Sequence, residues 1–551
     1  MLASVISGLV CLAAAAGASA SQPEARDTSS IGVGPYWVDM PVDHFGSYNA
    51  TFKNRYWVNA TYYKPGGPVV LFDSGEQDAS PLLGYYLQDY HGISAAMETA
   101  KQFGGVAILW EHRYYGMSLP FPVNANTTGI QYQYLTTEQA LEDVVYFAKN
   151  FSVDGIDDSL KPGDTPWIWI GGSYPGARGA LIRVRNPEIF YAVWASSAVV
   201  QAQVDFPQYY MQAERSLARN CSADFVAVTK YGDSVLSQNT TDATYLKYKI
   251  LRATAGKPGG NATLADKVTW AQAEALSYSS AMSQLRVALG AYQYFGFQAS
   301  IQPFCDLLES MNNTVTQTWD NSDTSLQAPI SSEAGLAATY GIEKAVDAWL
   351  TAIWELDRDS LPPSPLPSDP TGRSWTWQYC TEWGYYQDAN ASNPHNIISV
   401  SRTYDSFQSG CLTAFANATG IMPSTPNVNA INKYGGWNMS PSNVLFTNGQ
   451  FDPWRSVTMD SPEPAAPHRN VTTTIPKCNT PPANNDVFGI THANMVHVSD
   501  QRVLLTPDAN HTNFHTVGFY SPIATEPFYS GMGLFSMALR EWLPCFEKHN
   551  V

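Results

Sequence analysis

Between residues 69 and 197 short apolar runs alternate with stretches in which apolar side chains recur every three or four positions. The runs are 69–72 (VVLF), 106–110 (VAILW), 167–170 (WIWI) and 192–195 (AVWA), short and continuous enough to be strands buried on both faces. Residues 137–151 (TEQALEDVVYFAKNF) instead carry the spacing of an amphipathic helix, opening on a stretch suited to a helix N-terminus. Strands interleaved with helices predict βαβ units and a parallel sheet. Beyond residue 204 the pattern changes, and helical periodicities such as 209–218 and 342–357 dominate with few strand-like runs. Strand grammar returns at 443–449 (NVLFTNG), and 528–543 reads as a closing helix that stops before Pro544. The expected class is therefore α/β: a sheet domain split into residues 21–204 and 401–551, with a mostly helical cap, 205–400, inserted between the two parts. Residues 361–370 and 461–485, punctuated by breakers, read as loops. Neither an internal repeat nor a nucleotide-binding glycine fingerprint is visible.

The 551 residues leave room for a substantial core. Residues 1–20 hold an apolar stretch, 6–16, and end Ala18-Ser19-Ala20, the pattern of a cleaved secretory signal peptide. That stretch is too short to span a bilayer, and no later run resembles a membrane span or lipid-anchor tail. Thirteen Asn-x-Ser/Thr sequons, at Asn49, Asn59, Asn126, Asn150, Asn220, Asn239, Asn261, Asn312, Asn390, Asn417, Asn438, Asn470 and Asn510, agree with export and predict N-linked glycans. Without Cys11 six cysteines remain, Cys221, Cys305, Cys380, Cys411, Cys478 and Cys545, an even set that suits disulfides in an oxidising compartment. The chain is expected outside the cell or in a vacuolar or lysosomal lumen. A formal charge of −17 argues against nucleic acid, whose phosphates require basic partners.

Residues 165–180 (TPWIWIGGSYPGARGA) carry the candidate chemistry: an apolar run breaks at two glycines, presents Ser173 and restarts as a helix. This is the pattern of a nucleophile elbow, in which a tight strand-to-helix turn exposes a serine above its sheet. A serine hydroxyl is a weak nucleophile at neutral pH, so a histidine base and an orienting acid are expected later in the chain. Asp452 follows the strand pattern 443–449 and so falls at the sheet edge where open parallel sheets place their sites. Candidate bases after it include His497, in MVHVSD, with His492, His511 and His515 as rivals.

Five segments, Val-Asp-His-Phe at 42–45, Glu-His-Arg-Tyr-Tyr-Gly at 111–116, Gly-Gly-Ser-Tyr at 171–174, Cys-Thr-Glu-Trp-Gly-Tyr-Tyr-Gln at 380–387 and Asn-Gly-Gln-Phe-Asp-Pro-Trp at 448–454, together resemble the prolyl carboxypeptidase and dipeptidyl-peptidase family of serine peptidases, which includes fungal post-proline endopeptidases. The resemblance implies an α/β-hydrolase core with a helical cap between serine and aspartate, and post-proline cleavage of peptides. It implies Ser173 as nucleophile, Asp452 as orienting acid and, through a His-x-x-Asp segment at 497–500, His497 as base. For the oxyanion hole the expected donors are the N–H of Tyr174 and that of Gly75. Glu76 stands where aminopeptidase members hold a peptide's free amine, and it is read either in that role or as a loop-stabilising carboxylate. Trp454, two residues after the acid, is expected to wall a proline pocket. Pro175 departs from the family's glycine, and Val498 stands where a cysteine is common. Arg113 is expected to pair with a carboxylate beneath the site, and Cys380 to be a half-cystine. Neither cofactor nor metal is implied. The competing readings are an ester hydrolase on the same fold and a catalytically silent binding protein on that scaffold. Exo- or endo-action, disulfide pairing and oligomeric state stay open.

Overall fold

The computed structural model describes residues 33–88, 94–255, 264–286, 292–310, 335–355, 370–418, 420–501, 503–507, 514–518 and 531–551. The expected signal peptide, the sequons at Asn261, Asn312 and Asn510, and His511 lie outside the described residues. The chain opens with an antiparallel pair, β1 (Tyr36–Pro41) and β2 (Thr51–Asn59), then β3 (Val69–Asp73), β4 (Val106–Trp110), β5 (Trp167–Gly172) and β6 (Ala192–Ser196). Next come β7 (Gln203–Asp205) and β8 (Gly384–Tyr386), which pair with each other in parallel, apart from the main sheet. The main sheet resumes with β9 (Val444–Gly449), β10 (Val471–Thr472) and β11 (Val487–His492), and a hairpin, β12 (Val503–Pro507) with β13 (Phe514–Gly518), stands separately. Among the described residues the sheet has nine strands in the order β1-β2-β4-β3-β5-β6-β9-β11-β10, parallel from β4 onward.

The continuous apolar runs are explained by burial on both faces. In β3, Val69 and Leu71 enter one core while Val70 and Phe72 enter the other; Trp167 and Trp169 of β5 oppose Ile168 and Ile170 in the same way. Helix α1 (Ala95–Phe103), capped by Ser94 and stopped by Gly104 at φ 67°, covers one face. On the other face lie α2 (Thr137–Asn150), capped by Thr136, and α3 (Tyr174–Arg185). The chain has the α/β-hydrolase fold, with the C-terminal ends of its parallel strands along one side of the sheet.

Between β7 and β8 the described residues are mostly helical and include α4 (Gln208–Arg215), α5 (Arg219–Leu236), α6 (Thr241–Thr254), α7 (Ile342–Glu355) and α8 (Pro370–Gln378). Its interior is aromatic, with Phe225, Phe304 and Trp349 packed edge to face, and Cys221–Cys305 ties α5 to the segment carrying Phe304. Residues 370–418 pack on the core rather than standing off it. Trp377, Cys380, Tyr386, Cys411 and Phe415 share a cluster with Tyr114 and Tyr132, and Cys380 bonds Cys411. A closing helix, α9 (Gly531–Trp542), joins α1 on its face of the sheet, and Cys478–Cys545 ties its end to the loop after β10. Of fifteen possible pairings the fold adopts 221–305, 380–411 and 478–545. Sequon Asn59 is closed to a glycan, being 8 % exposed with its amide donating to Leu87 O at 2.9 Å. No helix of the described residues is long and apolar enough to cross a membrane.

Candidate active site

Ser173 sits alone between β5 and α3 at φ 65°, ψ −130°, a conformation that costs a residue with a side chain roughly 1–3 kcal/mol and persists where the surroundings impose it. Those surroundings begin with Gly172. A Cβ there would lie 2.3 Å from Val498 Cγ1, so only glycine lets the segment carrying His497 come against the elbow. The N–H of Ser173 donates to Ser196 O at 2.8 Å, tying the elbow to the end of β6.

Asp452 is fully buried in the turn after β9. Its Oδ1 accepts the N–H of Trp454 at 2.8 Å, and both carboxylate oxygens lie 3.0 Å from His497 Nδ1. An imidazole so held carries its proton on Nδ1 and presents Nε2 as the proton-transfer atom. Of the four histidines weighed from the sequence, His497 meets Asp452. His492 ends β11 with Nε2 3.6 Å from Asp500 Oδ2, His515 lies in β13 opposite Thr506, and His511 is outside the described residues.

Tyr174 begins α3, so its N–H has no carbonyl partner within the helix. Its hydroxyl is 2.8 Å from His112 Nε2 and accepts from Gln378 Nε2 at 2.8 Å, while Tyr115 OH donates to Gln378 Oε1. His112 Nδ1 is 2.6 Å from Arg113 O and burial pushes the imidazole well below its ordinary range, so His112 is neutral and Tyr174 OH donates to it. Gly75 has its N–H on Asp73 Oδ1 at 3.1 Å. The residue is at φ 67° and a Cβ would meet Pro175 Cγ at 2.2 Å, so the loop after β3 and the elbow touch. Asp73 in turn pairs with Arg178 of α3 at 2.6 Å, with both side chains fully buried. Glu76 is half-buried beside this pair. Burial, reinforced by the charge of Asp73, pushes its carboxyl up to about 7.

Trp454 is 7 % exposed, stacked on Phe206 at 5.0 Å and met edge-on by Tyr209 and Tyr385 at 5.4 and 5.2 Å. Its indole N–H donates to Gln293 Oε1 at 2.9 Å, and its ring is 6.2 Å from that of His497. Arg113 makes a bidentate pair with Asp143 at 2.5 and 2.6 Å and donates to the carbonyls of Pro41, Val42 and Tyr134. It is a structural arginine, as its planar fork suggested. Sequence reasoning overlooked Asp73, Arg178, Ser196, Ser197 and Gln378. The available signal was position: Asp73 and Ser196 end apolar strands on the edge that carries Ser173 and Asp452. Among the described residues no group of His, Cys, Asp or Glu is arranged to hold a metal ion.

The profile of a family described as "Serine carboxypeptidase S28" matches residues 40–475. The "Probable extracellular serine carboxypeptidase" of Arthroderma benhamiae is 28 % identical over 452 residues, which cover 76 % of this chain and 58 % of that one. This chain thus spans less than two thirds of that relative's length. "Serine protease vicPb" of Bipolaris victoriae is 27 % identical, with 76 % and 77 % of the two chains covered. The "Thymus-specific serine protease" of Homo sapiens is 27 % identical, with 77 % of each covered. A solved proline iminopeptidase of Mycobacterium smegmatis superposes on 47 % of this chain and 71 % of its own, at 12 % identity and a TM-score of 0.22, a likeness that carries nothing further.

Proposed function

The chain belongs to the serine carboxypeptidase S28 family, and from that premise we propose that it is a secreted serine peptidase that hydrolyses peptide bonds after proline through Ser173, His497 and Asp452. The observation that carries the reading is the pairing of a strained serine elbow with a buried Asp452–His497 couple on the same sheet edge. Ser173 Oγ attacks the carbonyl carbon while His497 Nε2 takes its proton. Collapse of the tetrahedral adduct passes that proton to the leaving nitrogen and leaves an acyl-serine. Water, deprotonated by the same Nε2, then releases the acid and restores the serine.

The N–H of Tyr174 is the first oxyanion donor. Gly75 joins it only by releasing Asp73, because its N–H is engaged there. Proline preference is supported by the rigid, apolar ring of Trp454 beside His497 and by the family's motifs in this chain. Glu76, half-buried and proton-retaining, suits a free amine of a short peptide, which would draw the proton off its carboxyl. Export is supported by the extracellular relative, the leader pattern and three disulfides.

A fluorophosphonate probe and a peptide library read by mass spectrometry test this. Wild type should label and cut after proline. Ser173→Ala should lose labelling and several orders of magnitude of turnover, and His497→Ala should collapse likewise. Labelling or near-normal turnover in Ser173→Ala would overturn the reading.

A further inference from the structure

His497 lies on neither a strand nor a helix, but on the turn between β11 and β12, so something must hold that turn at a fixed distance from Ser173. Its first half is tied to the loop of Asp452. Gln450 N–H donates to His492 O at 2.9 Å, Phe451 N–H to Met495 O at 2.9 Å, and Asn494 N–H to Gln450 Oε1 at 3.0 Å. Its second half is tied to two consecutive serines at the end of β6. Ser196 Oγ donates to Asp500 Oδ1 at 2.5 Å, and Val498 N–H donates to Ser197 Oγ at 2.9 Å.

The same serines hold the nucleophile's side of the site. Ser196 O accepts the N–H of Ser173, so one residue grips the nucleophile by its carbonyl and the base's turn by its hydroxyl. Ser197 is anchored by its own N–H on Thr447 O at 2.7 Å, and Thr447 belongs to β9, the strand that leads to Asp452. Both serines are fully buried, and His497 and Asp500 are 2 % and 6 % exposed. Three non-glycine residues meet here at positive φ: Ser173 at 65°, Ser197 at 46° and Val498 at 54°. Valine is β-branched and tolerates that region poorly, so its conformation must be imposed; its carbonyl accepts the N–H of Gln501 at 3.2 Å within the turn, and the hydrogen bond from its N–H to Ser197 ties it to β6.

We propose that Ser196 and Ser197 are positioning residues that form a bracket, setting the separation and aim of His497 relative to Ser173. The proposal rests on the triad reading and adds to it a reason why base and nucleophile, distant in sequence, are held on one frame. It assigns to neither serine a contact with substrate. Misplacement of a reacting group by about 1 Å costs on the order of 10²-fold in rate, so loss of one bracket hydroxyl should be visible in kcat.

The test is a set of variants in the secreted, disulfide-bonded protein, with kcat, KM and the rate of phosphonate labelling measured on each. Ser197→Ala and Ser196→Ala should each lower kcat and labelling by ~10- to 10²-fold with KM within about twofold, since binding contacts are untouched. Asp500→Asn, which keeps an acceptor for Ser196, should retain most of the turnover that Asp500→Leu loses. The discriminating arm is a double-mutant cycle. Added to His497→Ala, Ser197→Ala should cost nothing more, because a residue acting through the base has no effect once the base is gone. Full turnover in both serine variants, with His497→Ala inactive, would overturn the bracket alone. A further equal loss in the double variant would also overturn it, by showing general damage. An active His497→Ala would overturn the triad reading and the bracket with it. Should Ser197→Ala fail to fold, Ser196→Ala and the Asp500 pair supply the same comparison.

Discussion

At the scale of single residues, Trp454 is where the proposed selectivity for proline stands or falls. A tryptophan stacked on Phe206 and bonded through its indole N–H to Gln293 cannot reorient to suit a substrate, so it favours a compact, rigid, apolar ring and offers nothing to a long polar side chain. Discrimination between similar apolar side chains is worth only ~1–3 kcal/mol, so cleavage after alanine should persist weakly while cleavage after lysine is far slower. Matched substrates with proline, alanine or lysine at the cleaved position, assayed with wild type and Trp454→Ala, check this. The variant should lose roughly tenfold or more of its proline preference, again on the basis of that energy range. An unchanged preference would remove Trp454 from the pocket and leave the triad standing. Ser173 and Asp452 were legible because elbow and strand-end loop are local patterns. The hydrogen bond that occupies Gly75 was not, because it depends on Asp73 being held at its other oxygen by Arg178, 105 positions away.

At the scale of elements, the segment that returns from the helical insertion reaches the residue beside Ser173. Helix α8 delivers Gln378 to the hydroxyl of Tyr174, whose backbone N–H is the proposed oxyanion donor, and the Cys380–Cys411 disulfide fixes the chain just beyond. Gln378→Leu would leave Tyr174 OH bonded to His112 alone and Tyr115 OH without its acceptor inside the protein. The expected result is a fall in kcat of roughly tenfold with KM little changed, as for an interaction felt in the transition state. An unaltered kcat would show that the cap does not steady the oxyanion donor. The strands buried on both faces could be read almost to the residue, since a run such as 106–110 has no other good explanation. The antiparallel pair β1–β2 could not, because β2 (TFKNRYWVN) mixes exposed Lys53 with buried Asn54 and Arg55, whose side-chain N–H groups find acceptors on Glu111, far along the chain. The place of residues 370–418 against the core was hidden for the same reason: their apolar spacing marks a buried face but not its partner.

At the scale of the whole molecule, the charge of −17 was plain in the sequence, but the carboxyls that fix its pH response were not, because burial is invisible there. Burial, with Asp224 beside it, pushes Glu309 up to about 7 in the cap; burial, with Asp205, pushes Asp388 up to about 6; and Glu76 reaches about 7 beside the site. Each binds its proton more tightly folded than at its ordinary value of 4.5 or 3.8, so the stability it contributes is fully present below that value and is lost as pH rises through about 6 to 7. The opposite sign applies to Asp143, Asp460 and Asp500. Their ion pairs and hydrogen bonds outweigh burial and hold them below 3.8, so their contribution is present above that value and is lost only as pH falls beneath it. The two sets leave a window of maximal stability at about pH 4–6, and self-repulsion of the net negative charge deepens the loss above it. Thermal melting from pH 3 to 8 should therefore peak in that window. Glu309→Gln mimics the protonated form and still donates toward Asp224, so its melting temperature should match wild type near pH 4 and exceed it by a few degrees at pH 8. Parallel curves for the two proteins across the range would show that net charge alone, and not the buried Glu309, sets the loss of stability above pH 6.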